Sequence, residues 1–102
     1  MGARERGNDT AFVRDRVGIV SLGLMGGSFA RALHLGGREV YASNRTRATL
    51  ELAMIDTVDA ELTDDAIGTC ELIILAGYPQ MTIDWLRGHQ DLVAPGAIVI
   101  DT

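Results

Sequence analysis

The chain has a single cysteine, Cys70, which excludes an internal disulfide and a cysteine-cluster metal site. It also lacks any long hydrophobic run. Its longest apolar stretches, such as Leu72–Gly77, are far too short to span a bilayer. No secretory signal is legible, because the first 15 residues are largely polar and charged, without an apolar core segment. Positive charge is in deficit as well. A net charge of −5 at pH 7 excludes a general affinity for nucleic acid, so any phosphate ligand must be held by local geometry. These absences lead us to expect a cytoplasmic protein with neither a membrane nor a nucleic-acid partner.

What is present suits one small globular domain. The 102 residues are 47 % hydrophobic and 23 % charged, enough for a single core. Residues 1–15 show little periodicity and read as a flexible leader, so the domain is expected to run over residues 16–102. Val17–Ser21 is a short apolar run with β-branched residues, the pattern of a buried strand. Met25–Leu35 follows with apolar residues at helical spacing, and Gly36-Gly37 ends it. Glu39–Ser43 reads as a second strand, and Thr46 as the cap of a helix over Arg47–Met54. Thr63-Asp64-Asp65 opens a short helix. Leu72–Ala76 is the most hydrophobic strand, Met81–Gln90 a helix after Pro79, and Ala97–Asp101 the last strand after a Pro95-Gly96 turn. Strands alternating with helices predict an α/β fold: a doubly wound, parallel Rossmann-type sheet with right-handed crossovers.

Between the first strand and its helix lies Ser21-Leu22-Gly23-Leu24-Met25-Gly26-Gly27-Ser28. In this context G-x-G-x-x-G is a dinucleotide-binding fingerprint. Gly23 fills the middle position, where a missing Cβ lets a pyrophosphate approach the backbone. Gly26 fills the last, where helix and strand pack closely. Ser21 replaces the first glycine. The helix start, at Leu24 and Met25, offers unpaired N–H groups and a positive dipole end to phosphate. The same glycines could instead serve packing alone.

About 20 residues past such a turn, NAD-specific domains carry an acid for the adenosine ribose. Here Tyr41-Ala42-Ser43-Asn44-Arg45-Thr46 holds no carboxylate. Ser43, Asn44 and Thr46 can donate hydrogen bonds, and Arg45 can pair with a 2′-phosphate, with Arg47 as a second candidate. NADP is therefore expected ahead of NAD. An arginine solvated in a helix-start loop is the plainer reading of Arg45.

The runs L-G-L-M-G-G-S-F-A-R-A-L at Leu22–Leu33, L-I-I-L-A-G-Y-P at Leu72–Pro79 and V-A-P-G-A-I-V-I-D at Val93–Asp101 resemble the prephenate/arogenate dehydrogenases, the oxidative decarboxylases of tyrosine biosynthesis. The resemblance covers about residues 16–102; β-hydroxyacid dehydrogenases share part of the turn. It implies a cofactor domain that in the family is followed by a helical domain forming the homodimer and much of the site for prephenate or arogenate. The family's active-site serine and catalytic histidine would fall past Thr102. No catalytic residue is therefore expected in this chain, which alone is expected to be inactive. The resemblance also places Gly77, Tyr78 and Pro79 beside the nicotinamide ribose, where the family more often has a Val-Pro pair. Tyr78 would pack on the cofactor or stand as a surface aromatic. A stand-alone nucleotide-binding regulatory module, or a fragment of a β-hydroxyacid dehydrogenase or imine reductase, are the alternatives.

Other reactive residue types have structural explanations. His34 and His89 sit near helix C-termini, where a partly cationic imidazole suits the dipole. Asp64 and Asp65 favour a helix's first turn, Trp85 is a packing anchor beside an exposed Asp84, and Cys70 is an inert thiol. No metal site is expected.

Overall fold

A computed structural model describes residues 12–102. Five parallel strands form one sheet: β1 (Val13–Val20), β2 (Glu39–Ser43), β3 (Ala60–Glu61), β4 (Cys70–Leu75) and β5 (Ile98–Asp101), in the order β3-β2-β1-β4-β5. The helices are α1 (Leu24–Leu35), α2 (Arg47–Asp56), α3 (Asp64–Ile67) and α4 (Pro79–His89), followed by one 3₁₀ turn at Gln90–Leu92. The strand order reverses at β1, so chain leaves β1 towards β2 on one side and later returns to β4 on the other. This is the expected doubly wound fold.

Burial explains the two layers of helices. Val17–Val20 of the central strand is buried throughout, as a strand covered on both faces requires. Val17, Ile19, Val40, Ala42 and Ile74 pack on one face with Ala30 of α1 and Leu50 of α2. Val20, Ile73 and Leu75 pack on the other with Ile67 of α3 and Trp85 of α4. At the amino end of the sheet, Arg16 ties β1 to β2 and to the turn that precedes β4. Its guanidinium donates to both oxygens of Glu39 at 3.0 and 3.2 Å and to Thr69 Oγ1 at 2.9 Å, and lies 4.6 Å over the Tyr41 ring.

The differences from the sequence reading have local causes. β1 begins at Val13, inside the stretch read as leader; residues 1–11 lie outside the described residues. Val13–Asp15 is solvent-exposed and shows no alternation, but Val13 N–H donates to Thr69 O at 2.7 Å and Asp15 N–H to Glu71 Oε1 at 2.7 Å. Asp15 has φ 66° where the β1–β4 register shifts, the mark of a bulge. β3 escaped the sequence because two residues carry no period. β4 starts two residues earlier than expected, and α4 starts on Pro79 itself, a residue preorganised for a first turn. Thr46 holds the N-cap position of α2, but its side chain makes no capping bond; Thr63 does cap α3, accepting from Ala66 N–H. Among the described residues no helix is long and apolar enough to cross a membrane, and no cluster of three metal-ligating side chains occurs.

Candidate functional site

β1 ends where its backbone turns sharply. Ser21 takes φ 81°, the left-handed region that suits glycine, and its N–H donates to Ser43 O at 2.8 Å. The turn therefore keeps the glycine geometry with a serine in it. Two residues on, Gly23 caps α1, and a Cβ built there would meet no atom within 4 Å. Its open side borders the cavity described below. At Gly26 a Cβ would lie 1.9 Å from Ser21 O and 3.3 Å from the Ala76 Cβ, so helix and strand approach as closely as only glycine allows. The two glycines thus do different work: one leaves room beside the turn, the other lets the helix seat. The N–H groups of Leu24, Met25 and Gly26, in the first turn of α1, lie beyond the reach of any helical carbonyl.

A cavity of about 590 Å³ opens at the carboxyl ends of β1, β2 and β4, where the strand order reverses. That is the place where open α/β sheets bind ligands. Of the residues singled out from the sequence, Ser21, Gly23, Leu24, Met25, Ser43, Asn44, Arg45, Gly77 and Tyr78 line it. Gly26, Thr46 and Pro79 do not: Gly26 is on the buried side of α1, Thr46 is the N-cap residue of α2 and Pro79 starts α4. Val20, Ala76, Met81 and Trp85 line it unforeseen. Tyr78, Met81 and Trp85 recur at helical spacing, which aims one face of α4 at the cavity. Leu24 and Tyr78 are 90 % and 85 % exposed, large apolar surface at the rim.

Among the described residues Arg45 is the one charged residue in the lining, and none of them sets a carboxylate there. Arg47 is engaged elsewhere. Its guanidinium pairs with Glu61 at 2.8 Å and Glu51 at 3.3 Å, which removes it as a second phosphate partner. Asn44 is already partly engaged: Oδ1 accepts from Leu22 N–H at 2.8 Å and one of the two Nδ2 hydrogens is donated to Thr46 O at 3.1 Å. An apolar slot, a glycine turn with free N–H groups and one guanidinium fit a nicotinamide dinucleotide, which needs a pyrophosphate cradle and flat apolar walls.

The other reactive residue types lie away from the cavity. Cys70 begins β4 at the opposite end of the sheet, and burial pushes its thiol up to about 11. His89 stacks on Trp85 with ring centroids 4.7 Å apart, and its Nδ1 lies 2.8 Å from Trp85 O. His34 is exposed in the last turn of α1.

No curated protein matches the chain. Among solved structures, Synechocystis arogenate dehydrogenase superposes with a TM-score of 0.79 at 30 % identity, over 85 % of this chain and 32 % of that one. Streptomyces aurantiacus imine reductase superposes with 0.72 at 26 % identity, over 84 % and 31 %. (S)-3-hydroxybutyryl-CoA dehydrogenase from Ralstonia eutropha shares the fold, with 0.70 at 17 % identity over 85 % and 40 %. The chain thus spans about a third of the length of the first two. Residues 16–102 match the family model described as NADP oxidoreductase, coenzyme F420-dependent, and the chain belongs to that family as an oxidoreductase-type NAD(P)-binding Rossmann domain.

Proposed function

We propose that this chain is the cofactor domain of an NADP-using dehydrogenase that acts on prephenate or arogenate by oxidative decarboxylation. The observation that carries the cofactor choice is the lining itself: among the described residues Arg45 is its sole charge, and no acid accompanies it to repel a 2′-phosphate. Support for the substrate class comes from the sequence runs at Leu22–Leu33, Leu72–Pro79 and Val93–Asp101. The 30 % identity to an arogenate dehydrogenase adds to it.

In this reading the bound nicotinamide supplies the hydride acceptor. The chain's own residues bind and orient. N–H groups of the Gly23–Gly26 turn hold the pyrophosphate, and the α1 dipole adds to their pull. Arg45 pairs with the 2′-phosphate, helped by the Ser43 hydroxyl at the same rim. Gly77 and Tyr78 wall the cavity on the β4 side, and Met81 and Trp85 exclude water from its floor. Substrate-binding and reacting groups belong to a companion helical domain, which in this reading also pairs two subunits.

Calorimetry with NADP and NAD tests the cofactor choice. NADP is expected to bind at least about tenfold more tightly, as one charge-assisted contact is worth. Arg45→Asp reverses the preference, whereas Arg47→Ala leaves it unchanged. A wild-type preference for NAD sinks the assignment. The substrate class is tested by NADP reduction with prephenate and arogenate in the protein carrying its helical domain; the 102 residues alone are expected to give no turnover. The 26 % identity to an imine reductase favours a second reading, and NADPH oxidation in the presence of an imine distinguishes it.

A further inference from the structure

We propose that Asn44 is a positioning residue: its amide locks the glycine turn to the loop that carries Arg45, so the two phosphate grips form one rigid unit. The inference rests on the NADP reading above for its functional meaning, but not for its geometry.

Asn44 follows the last residue of β2 and is half-buried. Its Oδ1 accepts the Leu22 N–H at 2.8 Å, across 22 positions of sequence. Its Nδ2 donates to Thr46 O at 3.1 Å, two residues ahead. One planar group thus bonds the turn and the loop at once, and only an amide of this length offers an acceptor and a donor in one plane. Aspartate would keep the bond from Leu22 but set a negative charge against the Thr46 carbonyl. Serine is too short to reach both.

The bonds sit at sensitive points. Leu22 is buried, so its N–H has no water to turn to if Asn44 is lost. It lies between Ser21, held at φ 81°, and Gly23, the open cap of α1. Ser21 N–H is already held by Ser43 O. Consecutive N–H groups of the turn are thereby fixed by consecutive residues at the end of β2, one through backbone and one through the Asn44 side chain. Thr46 O is also the carbonyl that receives Leu50 N–H at the start of α2. Arg45 therefore stands between two anchored points with its own side chain exposed. Its backbone cannot drift without breaking an Asn44 bond.

Direct contact and positioning make opposite forecasts. A residue that donates to the 2′-phosphate matters for NADP alone. A residue that holds the turn matters for every dinucleotide. Calorimetry of Asn44→Ala is expected to show NADP and NAD weakened together, each about tenfold, with their ratio within twofold of wild type. Weakening of NADP alone, or of neither cofactor, overturns the proposal. Asn44→Asp gives a second reading with NAD, which has no 2′-phosphate to repel. It is expected to bind NAD more weakly than wild type does, and tighter binding would show that position 44 faces the ribose.

The tie is also read without any cofactor, by hydrogen exchange at the Leu22 amide. Exchange is expected to be slow in wild type and at least about tenfold faster in Asn44→Ala, while amides of β4 keep their protection. Equal exchange at Leu22 in a folded variant overturns the tie. If wild type binds neither dinucleotide, the NADP reading fails and the exchange result still stands.

Discussion

A methyl group added at Gly26 and one added at Gly23 should have opposite consequences, although the two glycines belong to one motif. At Gly26 the new Cβ would lie 1.9 Å from Ser21 O and 3.0 Å from Ser21 C. An ordinary contact needs about 3.4 Å, so α1 must lift by roughly 1.5 Å from the end of β1. Nothing nearby yields easily. Ser21 is held by its bond to Ser43, and Ala30 lies 1 % exposed on the buried side of the same helix. Overpacking of a closed contact costs about 1–3 kcal/mol, and backbone against backbone belongs at the upper end. For a domain of this size that lowers Tm by about 10–20 °C. At Gly23 the backbone angles, φ −66° and ψ −162°, suit alanine, and no atom lies within 4 Å. Gly23→Ala should therefore melt with wild type or slightly above it. Its methyl group, however, borders the cavity, and dinucleotide affinity should fall at least about tenfold. Thermal unfolding followed by far-UV circular dichroism without ligand, paired with calorimetry, separates the two effects. The reasoning is refuted if Gly26→Ala melts with wild type, or if Gly23→Ala loses as much stability as Gly26→Ala.

Ser21→Gly should stabilise the fold by about 1 kcal/mol, because a side chain at φ 81° is strained there and glycine is not. A urea midpoint no higher than wild type would argue against that strain. Cys70 should make stability fall with alkali. Burial raises its thiol from 9.0 to about 11, so the folded chain holds a proton that the unfolded chain has lost. The contribution is complete below about pH 9, fades between 9 and 11, and is of the order of 2–3 kcal/mol. The chain has no lysine to titrate in that range. Urea midpoints at pH 8 and pH 10.5 should converge for Cys70→Ala, and an unchanged slope in that variant would assign the effect elsewhere.

Which features were legible in the sequence follows from their range. Val17–Val20, Leu72–Leu75 and the α1 face carry their apolar patterns within a few residues, so the parallel sheet could be read directly. Gly23 and Gly26 were legible because the motif states a steric demand at fixed spacing: open space lies beside Gly23 and backbone packs closely on Gly26. The Val13–Asp15 extension was not legible, since it rests on backbone bonds to Thr69 and Glu71 more than 50 residues away. Neither was the two-residue β3, held by pairing Ala60 with Tyr41 and Glu61 with Ala42. Arg47 looked like a phosphate partner until Glu61, 14 residues on, took its guanidinium. Trp85 was read as a packing anchor, which it is; that it and Met81 also line the cavity depends on where α4 lies against β4 and was not legible.

Asn44 shows why the site divides as it does. Its residue type was noticed for what it lacks, a carboxylate, and its donor was assigned outwards. In the structure its Oδ1 and one of its Nδ2 hydrogens bond Leu22 and Thr46. The fixed frame around the cavity is then backbone: the Ser21 conformation, the Gly23 clearance and, behind the lining, the Gly26 contact. Changes in such a frame act through sterics and alter every dinucleotide alike. The variable part is the single guanidinium of Arg45, exposed and free of any carboxylate in the lining. Cofactor preference can therefore be moved at position 45 with little effect on stability, while the same substitution attempted at 44 first breaks the frame that presents it.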